Sequence, residues 1–141
     1  MRNRSLAGDY VRRATIRMRA VEVLFDAGSW ADVVRESQEV VELALKGLLR
    51  SVGVDAPRVV HDVSSVLESE RSRLSPGLAA DVGQLAAASR NLRRDRELAF
   101  YGAEDLVPSD FYSKADAEAA REAAAFVVNR ARSHVPSRTR R

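Results

Sequence analysis

Ser29-Trp30-Ala31-Asp32-Val33-Val34-Arg35-Glu36-Ser37-Gln38-Glu39-Val40-Val41-Glu42-Leu43-Ala44-Leu45-Lys46-Gly47-Leu48-Leu49 specifies the centre of a helical bundle. Val33, Val34, Val40, Val41, Ala44, Leu45, Leu48 and Leu49 recur at helical spacing and cover an arc wider than a surface stripe. A helix apolar over that arc must be covered on several sides, which predicts a central position. Its wet edge is Arg35, Glu39, Glu42 and Lys46, with Glu42 and Lys46 at favourable i,i+4 spacing. Ser29 suits the N-cap, with Asp32 as its capping-box partner, and the helix is expected to run to about Ser51.

Outward from this element, a first helix is expected from about Gly8 to Asp26, with Tyr10, Ala14, Val21, Leu24 and Phe25 on its apolar side and Gly28 ending it. Gly53 and Pro57 break the chain, and a short third helix covers roughly Val63 to Leu74. Ser75-Pro76 starts a fourth that ends near Tyr101-Gly102. The connection from Ala103 to Tyr112, with Pro108, is long for a bundle and suits a binding loop. Ser113 caps a last helix, with Asp116 as box partner, which runs to about Ser133. Val82, Leu85 and Leu92 are placed to pack against Phe126 and Val127. The expected fold is all-α: an antiparallel up-and-down helical bundle of four to five helices, with no strand.

Composition agrees. The 141 residues suit one domain spanning residues 1–141, with 135–141 as a basic, frayed tail. Hydrophobic residues are 45% and charged residues 30%, as in an ordinary soluble protein, while 6% aromatic with abundant Ala implies helix packed on helix. The chain has no cysteine, which excludes disulfides and thiolate metal sites. Arg12, Arg13, Arg17 and Arg19 interrupt every early apolar run, and nothing approaches membrane-spanning length, so no membrane partner and a cytoplasmic location are expected. Net charge is +3, and Lys46 and Lys114 are the only lysines. So much arginine fits phosphate binding and, equally, a GC-rich genome.

The chemistry concentrates in Arg90-Asn91-Leu92-Arg93-Arg94-Asp95-Arg96-Glu97-Leu98-Ala99-Phe100-Tyr101-Gly102. At about 100° per residue, Arg90, Arg94, Glu97 and Tyr101 share one side of a helix, opposite Leu78, Val82, Leu85, Leu92 and Ala99. Cations and a phenol on one stripe suit phosphate recognition; the plain alternative is a solvated face laced with salt bridges. Arg96 falls in the apolar stripe, where it needs an acid or a subunit interface. His61 and His134 stand in no ligand spacing, so no metal and no cofactor are expected. His61-Asp62 reads as a helix start and His134 as a solvated helix end.

Three phrases resemble the HEPN superfamily in the order found there: Gly28 to Leu49, Val59-Val60-His61-Asp62-Val63, and Arg93 to Gly102 followed by Pro108, Tyr112 and Asp116-Ala117. The resemblance implies an all-α bundle that forms a homodimer and, in many members, is a metal-independent ribonuclease. A toxin branch carries Arg, four residues, His, one residue, Tyr, and a minimal nucleotidyltransferase antitoxin modifies that tyrosine with AMP. On this pattern Arg94 matches the arginine and Tyr101 the tyrosine, while Ala99 stands where the histidine belongs. Arg90-Asn91 is similar to the Arg-Asn start of the ribonuclease motif, again without its histidine. Alanine cannot transfer a proton, and histidine is the side chain that titrates near neutrality unperturbed.

Two functions follow from the resemblance. In the first, the chain is a toxin-like partner of a nucleotidyltransferase, acting on RNA or nucleotide. Arg90, Asn91, Arg94 and Tyr101 are then the catalytic candidates, Arg90, Arg93, Arg94 and Arg96 the phosphate ligands, and Tyr101 the candidate for AMP modification. In the second, it is a non-catalytic module that binds nucleotide or a partner protein through the same groove. A plain dimeric scaffold is the third possibility.

Overall fold

The computed structural model describes residues 2–54, 63–101 and 111–135, with backbone alone for 2–5 and 94–101. These residues form helices and turns: α1 (Arg2–Asp26), α2 (Trp30–Ser51), α3 (Val63–Ser69), a 3-10 turn (Arg71–Arg73), α4 (Pro76–Ala79), α5 (Val82–Tyr101) and α6 (Lys114–His134). The antiparallel all-helical bundle is the expected fold. Its core is α2, which packs against α1, α3, α5 and α6. Val33, Val34, Val40, Val41, Leu45, Leu48 and Leu49 are all buried.

Helix α1 starts at Arg2, before the expected Gly8. Tertiary contact explains the difference: Ala7 is fully buried beside Gly47 of α2, so the packed face continues through Gly8. At Gly47 the two helices approach so closely that a Cβ would lie 2.7 Å from Val11 Cγ2 and 3.1 Å from the Ala7 carbonyl oxygen. The α1–α2 hairpin closes through Gly28, whose φ of 74° only glycine adopts cheaply. The Ser29 N–H donates to Leu24 O and the Gly28 N–H to Phe25 O, a Schellman closure. Gly53 ends α2 in the same way, through Val54 N–H to Leu49 O and Gly53 N–H to Arg50 O.

That closure corrects the expected capping box at Ser29. The Ser29 N–H is already committed to Leu24, and its hydroxyl donates to the Asp32 carboxylate at 2.6 Å, so Ser29 makes no side-chain cap bond. At Ser113 the N–H is available and the box forms: the Asp116 N–H donates to Ser113 Oγ and the Ser113 N–H to the Asp116 carboxylate. The third helix is shorter than expected. It stops at Ser69 and passes through the 3-10 turn to Leu74 and Ser75, both extended, as Pro76 requires of the residue before it. The helix begun at Pro76 is also not continuous to Tyr101. At Asp81 the ladder tightens to an i→i−3 bond with Leu78 O, and Gly77 and Gly83 weaken the helix on either side. Leu78 and Val82 are buried across this break, and Asp81 pairs with Arg130 of α6 at 3.0 Å.

Leu85, Leu92 and Val127 are buried in the core and Phe126 packs against it, as expected. His134 is half-buried rather than solvated. Residues 55–62, 102–110 and 136–141 lie outside the description, and with them His61-Asp62, Pro108 and all of the expected tail except Val135. Val135 is not frayed: it is buried in the core and its N–H donates to Ala131 O. Among the described residues no helix is long and apolar enough to cross a membrane.

Gly47→Ala should destabilise the protein by about 1–3 kcal/mol, because overpacking against the Ala7 backbone outweighs the gain of about 1 kcal/mol in helix propensity. Calorimetric melting checks it, and an unchanged or higher Tm would contradict the close approach. Ser37, fully buried on α2, has a hydroxyl with no hydrogen-bond partner among the described residues. Ser37→Ala should therefore leave stability unchanged or raise it by about 1 kcal/mol, read in the same experiment.

Candidate functional site

The arginine run lies on α5, beside α2 and α3. Leu92, one of the apolar positions, is buried and turns the helix so that its neighbours divide between two environments. Arg90 is exposed and its Nη1 donates to Glu68 of α3 at 3.2 Å, both side chains about half exposed (49% and 47%). Asn91 beside it is exposed. Such a pair contributes little, about 0–1 kcal/mol, so Arg90 can exchange Glu68 for a phosphate at low cost.

Arg93 differs. Its Nη2 donates to Glu42 of α2 at 3.1 Å, with the two side chains 23% and 20% exposed. The expected partner of Glu42 was Lys46 on the same helix; the structure joins Glu42 to α5 instead. Desolvation makes this inter-helix pair harder to dissolve than the Arg90 pair. Arg94, Arg96, Ala99 and Tyr101 lie on the helical backbone of α5, and their side chains fall outside the described residues. The structure thus brings Arg90 and Asn91 together at an exposed edge and assigns Arg93 to packing.

A second feature was not legible as a site. An open depression of about 430 Å³ between α1 and α2 is lined by Arg17, Leu24, Asp32, Arg35, Glu36 and Glu39. Arg17 Nε donates to the Glu36 carboxylate at 2.7 Å. That hydrogen bond raises the Arg17 pKa against the opposing effect of burial, and the charge of Glu36 adds to it. With three acids to two arginines the depression repels phosphate, so it does not extend the arginine face of α5. The sequence signal was the wet edge of α2, which reads as solvated surface until Arg17 is seen across it. Among the described residues no cluster of three His, Asp or Glu side chains converges as a metal site.

At the far end of the bundle, Arg121 of α6 lies 3.8 Å from the Phe25 ring centroid and donates to Glu22 at 3.1 Å. Phe25 meets Trp30 edge-on at 5.2 Å across the Gly28 turn, so α6 clamps the α1–α2 hairpin.

A double-mutant cycle of Arg93→Ala with Glu42→Ala should give a coupling energy near 1 kcal/mol, measured by denaturant unfolding. The cycle Arg90→Ala with Glu68→Ala should fall near zero. Equal couplings would remove the distinction drawn between the two arginines.

A family model for the HEPN domain matches residues 7–134 of the chain. No curated protein and no solved structure matches it.

Proposed function

The chain belongs to the HEPN domain family, and from that premise we propose that it is the toxin-like member of a toxin–antitoxin pair that binds RNA or nucleotide through the arginine face of α5. Family membership supports a nucleotide- or RNA-related module. The observation that carries the reading is Arg90, exposed and held by a weak surface pair, next to exposed Asn91. Arg90 and Arg94 hold phosphate and stabilise charge developing on it. Asn91 orients the sugar or phosphate, and Arg93 and Arg96 add to the positive field. Tyr101 is an auxiliary donor or the acceptor of AMP from a minimal nucleotidyltransferase antitoxin. A C2 homodimer formed near α5 brings two such stripes around one cleft.

Ala99 favours a second reading within the same family, a binding module without cleavage. Attack of a ribose 2′-OH on the adjacent phosphorus needs one group to take the hydroxyl proton and another to protonate the departing 5′-oxygen. Arginine stays protonated and tyrosine titrates near pH 10, so neither is matched to the first task at neutral pH. Positions 99 and 101 also lie about 160° apart around a regular helix, so a cleft using both must wrap α5 or include a second subunit.

Arg94→Ala should weaken binding of a structured RNA by about 10–100-fold, the loss of one charge-assisted contact, while thermal melting stays within about 0.5 kcal/mol of wild type. Collapse of the fold in Arg94→Ala would show that Arg94 is structural. With EDTA present the wild type should cleave the RNA weakly or not at all, and Ala99→His should increase cleavage. Strong wild-type cleavage that survives Arg94→Ala would place the chemistry elsewhere. Sedimentation as a monomer at tens of micromolar would remove the dimeric cleft.

A further inference from the structure

Helix α1 carries two seams. The inner one, Ala7, Val11, Ala14, Met18, Val21 and Phe25, alternates steps of four and three and packs into the core. On the opposite side Ile16, Ala20 and Val23 keep the same alternation, and all three are exposed, Ile16 by 42% and Val23 by 67%. Carried toward the N-terminus, the outer series meets exposed Arg13, Asp9 and Leu6. Scattered exposed aliphatics need no explanation, but a seam in heptad register is the pattern by which one helix receives another.

The charges around the seam indicate what it receives. Arg12, Arg13 and Arg19 are exposed, and none has an ion-pair partner among the described residues. On the same helix Arg17 and Glu22 are committed, to Glu36 and Arg121. A second copy of this chain is a poor occupant. Antiparallel self-pairing puts Arg19 against Arg19 at the axis and twice presses Arg13 onto the other copy's Val23, while only Arg12 finds a complement, in Asp26. RNA is also a poor occupant, since its phosphates could meet Arg12, Arg13 and Arg19 but would leave Ile16, Ala20 and Val23 uncovered.

We propose that the outer face of α1 docks an amphipathic helix of another protein, with aliphatic side chains at its a and d positions and carboxylates on its flanks. The aliphatic residues cover Ile16, Ala20 and Val23. The carboxylates neutralise Arg12, Arg13 and Arg19, including Arg13 within the seam.

The probe is a fluorescein-labelled peptide of about four heptads with leucine at a and d and glutamate at e and g, kept unfolded alone at neutral pH by glutamate repulsion. Fluorescence anisotropy with the full chain should show micromolar binding with a gain of helicity by circular dichroism. Val23→Glu and Arg13→Glu should each weaken binding by at least about tenfold, with unchanged thermal melts as expected for exposed positions. The counterpart with lysine at e and g should not bind. No binding, or equal binding by wild type and Val23→Glu, overturns the proposal. Self-association of the wild type abolished by Val23→Glu would assign the seam to a second copy and overturn it. Failure of the peptide together with loss of RNA binding on replacing Arg12, Arg13 and Arg19 by Glu would make the face an RNA surface and overturn it equally.

Discussion

The close approach of α1 and α2 at Gly47 is the constraint on which the rest of the bundle depends. Without a Cβ at Gly47, the two backbones sit near enough for Val11, Tyr10 and the Ala7 carbonyl to close over the position. The small residues Ala7 and Ala14 on the inner seam of α1 serve the same contact, and both are fully buried. Once α1 is seated there, one side of the wide apolar arc of α2 is covered, and α3, α5 and α6 complete the enclosure. The same seating brings Arg17 to Glu36 and turns Ile16 and Val23 outward.

Ionic contacts then divide by burial into two kinds. Arg93–Glu42 joins α5 to α2 through two partly covered groups, and Arg130–Asp81 joins the break before α5 to α6 with only its acid covered. Arg90–Glu68 joins it to α3 through groups that water reaches freely. The difference matters for function because a phosphate must compete with the existing partner. Where that partner is solvated, the exchange is nearly neutral; where it is partly buried, an acid is left behind in a poor environment. A face built on the arginines of α5 therefore does not offer equivalent ligands: Arg93 is held by a partly buried acid and Arg90 by a solvated one.

The chemistry available to such a face is electrostatic. Guanidinium groups bind phosphate in two-point fashion and remain charged through the physiological range, but they do not shuttle protons. If Ala99 stands where the resemblance puts the family histidine, the chain lacks there the group best matched to acid–base work near neutrality. Membership in the HEPN family therefore sets the class of ligand more firmly than it sets a reaction.

The sequence by itself determined the all-helical class and the centre of the bundle, because the wide arc from Val33 to Leu49 admits burial on several sides and little else, but not where the third and fourth helices break. Gly28 and Gly53 marked the ends of α1 and α2, since only glycine takes their positive φ without strain. The capping box at Ser113 was legible because both its partners lie within one turn. The identical signal at Ser29 misled, because the preceding turn had already taken the N–H that the box requires. The sequence also singled out the arginines of α5, but it could not rank them. Only the tertiary structure gave Arg93 to Glu42, a residue 51 positions away in the chain, and left Arg90 on a solvated partner. Periodicity had already put Ala14, Val21, Leu24 and Phe25 on the inner side of α1, while the close approach at Gly47 extended that side back to Ala7. Helical period and turn chemistry are local and readable along the chain; which charges are desolvated depends on which helix arrives beside them, and that is settled only by packing.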